Sequence, residues 1–192
     1  MIYLLAGLVL FFGCHAVTMN RGLRGNLIDR LGAGGYKGLY SLVSLVGLAL
    51  IIYGYGEARF EGAPQLYEPP VWLKHLAYLL LLPVFVFLIA AYVPGRIKTA
   101  LKHPMLVAVK LWALSHLLVN GDLASVLLFG SFLVYAVVDR ISLKRRVVDG
   151  AGGPPAVNLG AAGDIVVIVG GLALYGLFVW KLHLWLIGVA PM

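Results

Sequence analysis

Charge is scarce in this chain and acidic charge scarcest, with eight Asp and Glu against fifteen Lys and Arg in 192 residues. A soluble domain of that size needs more polar surface than 12% charged residues supply, and 61% hydrophobic residues could not all be hidden from water. The chain therefore reads as an integral membrane protein. Its single cysteine, Cys14, excludes an intrachain disulfide framework and a thiolate metal cluster. Paired carboxylates within an apolar run, a Gly-x-Ser-x-Gly elbow and a phosphate-cradling glycine loop are all missing, so nothing in the sequence supports hydrolytic chemistry. Neither His-x-x-x-His nor His-Glu-x-x-His occurs, which argues against zinc. With no acidic residue in mid-helix and no pair of broken helices recurring in two halves, transport is weakly supported. The net charge of +7 does not signal nucleic acid, because the basic residues are parcelled into short segments between apolar runs, where they act as topology signals.

What the chain has instead is apolar runs, near 2–19, 37–56, 72–93, 104–119, 123–139 and 164–189. At ~1.5 Å per residue most can cross a ~30 Å hydrocarbon core. The expected fold class is all-α, an integral membrane bundle of about six transmembrane helices. No basic residue precedes the first run, so it is expected to be a retained helix rather than a leader. Eleven basic residues fall on one side: Arg21, Arg24, Arg30, Lys37, Arg96, Lys98, Lys102, Arg140, Lys144, Arg145 and Arg146. The opposite loops hold only Arg59 and Lys74, so the positive-inside rule puts both termini outside the cytoplasm. One transmembrane domain spans 1–192, with a cytoplasmic linker near 140–163 that includes the Gly/Pro-rich stretch 150–160. Between the fourth and fifth runs, Asn120-Gly121-Asp122 is turn chemistry, with Asp122 placed to cap the following helix.

The chemistry-bearing residues are histidines. His116 lies inside a run that also carries Lys110, and ionisable groups at membrane depth are rarely kept without a partner. By the helical rise His116 falls roughly 12 Å and His15 roughly 20 Å below the external face. Two neutral imidazoles from different helices are the usual protein contribution to a low-spin haem, so His116 with His15 or His75 is the candidate ligand pair. The alternative for His116 is a hydrogen bond to Ser125, which the intervening turn would bring alongside. Lys110 either snorkels or, with Lys102, Lys98 and Arg96, holds an anionic group such as a haem propionate or lipid phosphate. His103-Pro104 opens the fourth helix, with proline at a position where its missing amide costs nothing. Cys14 is either a small buried hydrophobe or an alternative soft ligand beside His15.

The runs Gly7-Leu-Val-Leu-Phe-Phe-Gly-Cys-His15, Tyr36-Lys-Gly-Leu-Tyr-Ser-Leu-Val-Ser-Leu45, Lys102-His-Pro-Met105, Leu111-Trp-Ala-Leu-Ser-His116 and Asn120-Gly-Asp-Leu-Ala-Ser125 resemble the NnrU family of bacterial membrane proteins. The likeness is close from Met1 to about Arg146 and looser beyond. It implies a bacterial inner-membrane protein linked to denitrification, with denitrification membrane proteins as partners. The family is also similar to the plant 15-cis-zeta-carotene isomerase, which uses haem b. That resemblance implies haem ligation at His15 and His116, and matches His75 and His103 to further histidines of the enzyme. The position of the enzyme's alternate cysteine ligand is Ala113 here, which has no thiolate to offer. Isomerase-like catalysis and a redox or nitric-oxide-responsive role both stay open. A more distant likeness joins Lys102-His103-Pro104 to the helix start of membrane methyltransferases, which use S-adenosylmethionine, although their downstream tyrosine and acidic pair are missing.

Overall fold

The computed structural model describes residues 1–148 and 159–191. Most of the stretch 150–160, expected to be a loop, lies outside the described residues. The described chain is all-α: α1 Ile2–Val17, α2 Arg21–Phe60, α3 Trp72–Leu81, α4 Val84–Ala90, α5 Arg96–Leu101, α6 Pro104–Val119, α7 Leu123–Val148, α8 Gly160–Leu177, a π-helical turn Phe178–Leu182, and α9 His183–Ile187. Four stretches are long and apolar enough to cross a membrane: Arg21–Phe60, Trp72–Ala90, Leu123–Arg145 and Gly160–Ile187. Ile2–Val17 and Pro104–Val119 are shorter apolar helices.

Two boundaries differ from the sequence expectation. The segment 21–31, read as loop, is helical. Asn20 caps it by accepting the Leu23 amide at 3.0 Å, and only Gly32, at φ 71 and ψ 160, interrupts the helix before it resumes. Likewise α7 remains helical over 140–148, because no glycine or proline intervenes before Gly150.

The chain divides into two compact units, the first made of Met1–Glu68 and Asn120–Arg145, the second of Pro69–Val119 and Arg146–Met192. In the first, α1 and α2 meet along glycines. A Cβ on Gly7 would come 2.6 Å from the Ile51 amide nitrogen, one on Gly47 would come 2.8 Å from the Phe11 nitrogen, and one on Gly54 would overlap the Leu4 backbone. Small residues replace the hydrophobic effect as the means of helix association in lipid, since they let backbones approach closely. Leu4, Leu8, Ile51 and Ala58 fill the seam. The third helix, α7, joins through Phe132 and Tyr135, which pack on Phe11 and Phe12, and through Phe129, which packs on Tyr55.

A short clasp closes this unit. The Leu66 amide donates to the Gly121 carbonyl at 2.8 Å, the Leu123 amide to the Pro64 carbonyl at 2.8 Å, and the Tyr67 hydroxyl to the Asn120 carbonyl at 2.9 Å. Asp122 caps α7 as its sequence position implies, accepting the Ser125 amide at 2.9 Å. Burial raises the Tyr67 phenol above its ordinary value, and the charge of Asp122 raises it further. A folded value above the unfolded one means that the folded state holds the proton more tightly, so the stability this group contributes is intact below about pH 10 and falls as pH rises through the raised folded value. Alkaline titration of thermal stability is expected to show a loss in that window that Tyr67→Phe abolishes; an identical alkaline loss in the variant would assign it elsewhere.

In the second unit Pro83 separates α3 from α4, since it offers no amide to the helical ladder. Val86 and Ala90 of α4 pack on Val167 of α8, with Phe87, Ile89, Val93 and Ile97 around them. A Cβ on Gly171 would come 2.5 Å from the Val86 Cα, so these backbones also touch closely. The Ile97 amide at the start of α5 donates to Asp164 Oδ1 at 3.1 Å, tying α5 to the beginning of α8. Helix α6 packs on α3, α4 and α5. Between α5 and α6, Lys102 takes φ 62 and ψ −44 while the His103 amide donates to the Leu101 carbonyl at 2.7 Å, the geometry of a strained γ-turn. Lys102→Gly is expected to relieve that strain and raise stability by about 1 kcal/mol at most, read as a slightly higher thermal midpoint; a lowered midpoint would mean that the lysine side chain matters more than its backbone.

Candidate functional site

The histidines singled out from the sequence fall in both units. In the first, His15 lies on the last turns of α1, half-buried, with Nδ1 2.7 Å from the Phe11 carbonyl oxygen four residues back. With the proton on Nδ1 donated there, Nε2 is left as the basic nitrogen, the arrangement by which a carbonyl orients a metal-binding imidazole. The ring stacks on Phe11 at 4.2 Å and is flanked by Tyr40 at 5.3 Å and Tyr135 at 5.8 Å. The Cys14 Sγ lies 3.0 Å from the Ser44 Oγ, 3.2 Å from the Phe11 carbonyl oxygen and 3.4 Å from His15 Nδ1. Tyr36 packs on Tyr40 at 6.2 Å, and its hydroxyl is buried without a hydrogen-bond partner among the described residues. A buried hydroxyl left so is costly, and it offers a donor to an anionic or carbonyl group near the histidine.

In the second unit His116 lies one turn from the end of α6, half-buried, with Nδ1 2.8 Å from the Trp112 carbonyl oxygen. This is the His15 device repeated on another helix: an i−4 carbonyl fixes the ring and its tautomer. In the first unit the Ser125 hydroxyl lies 2.6 Å from Asp122 Oδ2 and 2.9 Å from the Tyr55 hydroxyl. Ala113 is fully buried.

The remaining candidates differ in setting. His75 is exposed on α3. The His103 carbonyl accepts the Leu106 and Val107 amides, so this residue starts α6 as the His-Pro pair implies. Lys110 is half-buried on α6. Sequence reasoning passed over His183, which follows directly on the π-helical turn and lies within electrostatic reach of His116. Its Nδ1 is 2.6 Å from the Val189 carbonyl oxygen, a contact allowed by the left-handed Gly188 at φ 78, and Gly188 after a long apolar run was the signal available. Isolated π turns often mark functional positions. Tyr78 of α3 holds the same terminal segment by donating to the Pro191 carbonyl, and Tyr175 donates to the Tyr78 carbonyl at 3.2 Å.

Among the described residues no three His, Cys, Asp or Glu side chains gather into a metal site. A haem iron asks less of the protein, namely one or two axial nitrogens with orientated rings and apolar walls. His15 and His116 each meet the donor requirement, and the aromatic enclosure of His15 with the unpartnered Tyr36 hydroxyl suits the periphery of such a group. No curated protein and no solved structure matches the chain. The family model described as NnrU protein matches residues 3–191, nearly the whole length. The chain belongs to the NnrU family.

Proposed function

We propose that this chain is a haem b-binding protein of the bacterial inner membrane, with both termini periplasmic, that serves denitrification alongside the membrane enzymes of nitrite and nitric oxide reduction. His116, in the second unit, and His15, in the first, are the residues that would hold its iron. The observation that carries the reading is the shared local geometry of these two residues: each imidazole is anchored through Nδ1 to the carbonyl four residues earlier, at 2.8 and 2.7 Å, so its Nε2 is held basic before any iron arrives. His75 is exposed on α3, whereas His15 is half-buried and held by the Phe11 carbonyl, so His15 is preferred as the second ligand. When bound, haem b would supply a one-electron couple and, if one histidine is exchangeable, a site for nitric oxide. Within the first unit, Phe11, Tyr40 and Tyr135 surround the His15 ring and the Tyr36 hydroxyl would offer a donor to a propionate; within the second, Trp112 packs beside the His116 ring and Lys110 would offer a cation.

The test is the absorption spectrum of the detergent-purified protein, oxidised and reduced, after haem supplementation. The expected result is a Soret band with a reduced alpha band, haem content near one per chain, and loss or a clear shift of these bands in His116→Ala and in His15→Ala. Haem-free protein after supplementation, or spectra unchanged in both variants, would remove the proposal. Carbon monoxide added to the reduced protein then distinguishes an exchangeable axial site, suited to nitric oxide or to isomerase-like chemistry, from stable six-coordination suited to electron transfer.

A further inference from the structure

The segment 21–31 is a separate helical stretch on the first unit, capped by Asn20 at one end and broken from the spanning part of α2 by Gly32 at the other. At ~100° per residue, Leu23, Leu27, Leu31 and Ile28 fall within one arc of ~140°, and the opposite face holds Gly22, Gly25, Asn26 and Asp29. Arg30 and Arg21 stand at the two borders of the apolar arc, and Arg24 lies within it with its guanidinium 5.8 Å above the Tyr36 ring. Leu23 and Leu31 are each 46% exposed, and all three arginines are exposed. An apolar stripe left open in the folded chain and edged by cations on both sides matches one surface: acyl chains at the headgroup boundary with anionic phosphates just above them. Arginine suits the border positions because its stem lies along the apolar layer while its planar fork pairs with phosphate. Lys37, exposed just beyond the break, adds a fourth cation, and Asp29 is the one opposing charge, on the face away from the stripe.

We propose that residues 21–31 form an interfacial helix that seats against an anionic phospholipid leaflet, with Leu23, Leu27, Ile28 and Leu31 among the acyl chains and Arg21, Arg24 and Arg30 on the headgroup phosphates. The glycine break at Gly32 lets this stretch take a direction different from that of the spanning helix.

The experiment is native mass spectrometry of the full-length protein in detergent, titrated with phosphatidylglycerol, with phosphatidylcholine, and with inorganic phosphate as a competitor. Phosphatidylglycerol is expected to bind roughly tenfold more tightly than phosphatidylcholine. The triple variant Arg21→Gln, Arg24→Gln, Arg30→Gln should lose that preference, and Leu23→Gln with Leu31→Gln should weaken both lipids alike. Inorganic phosphate should not displace the lipid. A charge-matched control, Lys74→Gln with Lys144→Gln and Arg145→Gln on exposed positions of α3 and α7, should retain the preference, which also guards against a loss caused by net charge alone. Equal binding of the two lipids, a preference that survives the triple variant, an equal loss in the control, or displacement by free phosphate would each overturn the proposal. None of these readouts depends on haem.

Discussion

Gly54→Val is expected to unseat α1 from α2. The new side chain has no flexible neighbour to push aside, because an added Cβ overlaps the backbone of Leu4 and Tyr3. Two effects oppose each other in such a substitution. Replacing a helical glycine gains up to about 1 kcal/mol in propensity, whereas overpacking costs about 1–3 kcal/mol where side chains can yield and more where backbone must move. Backbone is what stands in the way here, so the loss should dominate and amount to about 3 kcal/mol or more. The contrasting position is two residues on, where Gly56 has nothing within 4 Å of an added Cβ. Gly56→Ala should be neutral or slightly stabilising. Thermal midpoints by fluorescence-detected size exclusion in detergent would compare the two, and a Gly54→Val protein as stable as the parent would show that the seam is not the contact holding these helices.

Asp122→Ala is expected to have the second largest effect, because one carboxylate serves two donors. The Ser125 hydroxyl donates to Asp122 Oδ2, which leaves the Tyr55 hydroxyl to donate to Ser125, a directed chain from α2 through α7 to the cap. Removing the cap costs about 1 kcal/mol, and leaving the fully buried Ser125 hydroxyl without its acceptor adds about 1–3 kcal/mol. Asp122→Asn keeps an oxygen for the Ser125 amide and should lose less. Ser125→Ala removes the orphaned group, so the double variant should be less destabilised than the sum of the single changes, with a coupling of about 1 kcal/mol or more. Strict additivity would show that the three groups do not act as one chain.

Much of this architecture is legible in the residues. Apolar runs fix the helices, Pro104 fixes the start of α6 and Asp122 the start of α7, because those signals are local. The segment 21–31 is not legible in the same way: three glycines and three arginines in and around it read as punctuation and loop charge, while its stripe of Leu23, Leu27 and Leu31 is too short to outweigh them. The destination of the Ser125 hydroxyl depends on Tyr55, seventy residues away, and no turn rule contains that distance. For the histidines, the sequence could name His15 and His116 but not the i−4 carbonyl anchors they share. His183 is not legible as a candidate in the same way, because its setting rests on a π turn and on Gly188, a backbone path rather than a motif.

The first unit is assembled from two pieces of chain, 1–68 and 120–145, with fifty-one residues of the other unit between them. During synthesis α1 and α2 must therefore leave the ribosome with the aromatic face of Phe11 and Phe12 and the Tyr55 hydroxyl uncovered, and they wait while α3 to α6 are made before α7 arrives to complete them. Slowing elongation across 69–119 prolongs that wait and should lower the yield of intact protein on an immunoblot more than slowing it after Arg145; equal yields would show that the first unit does not depend on when α7 arrives.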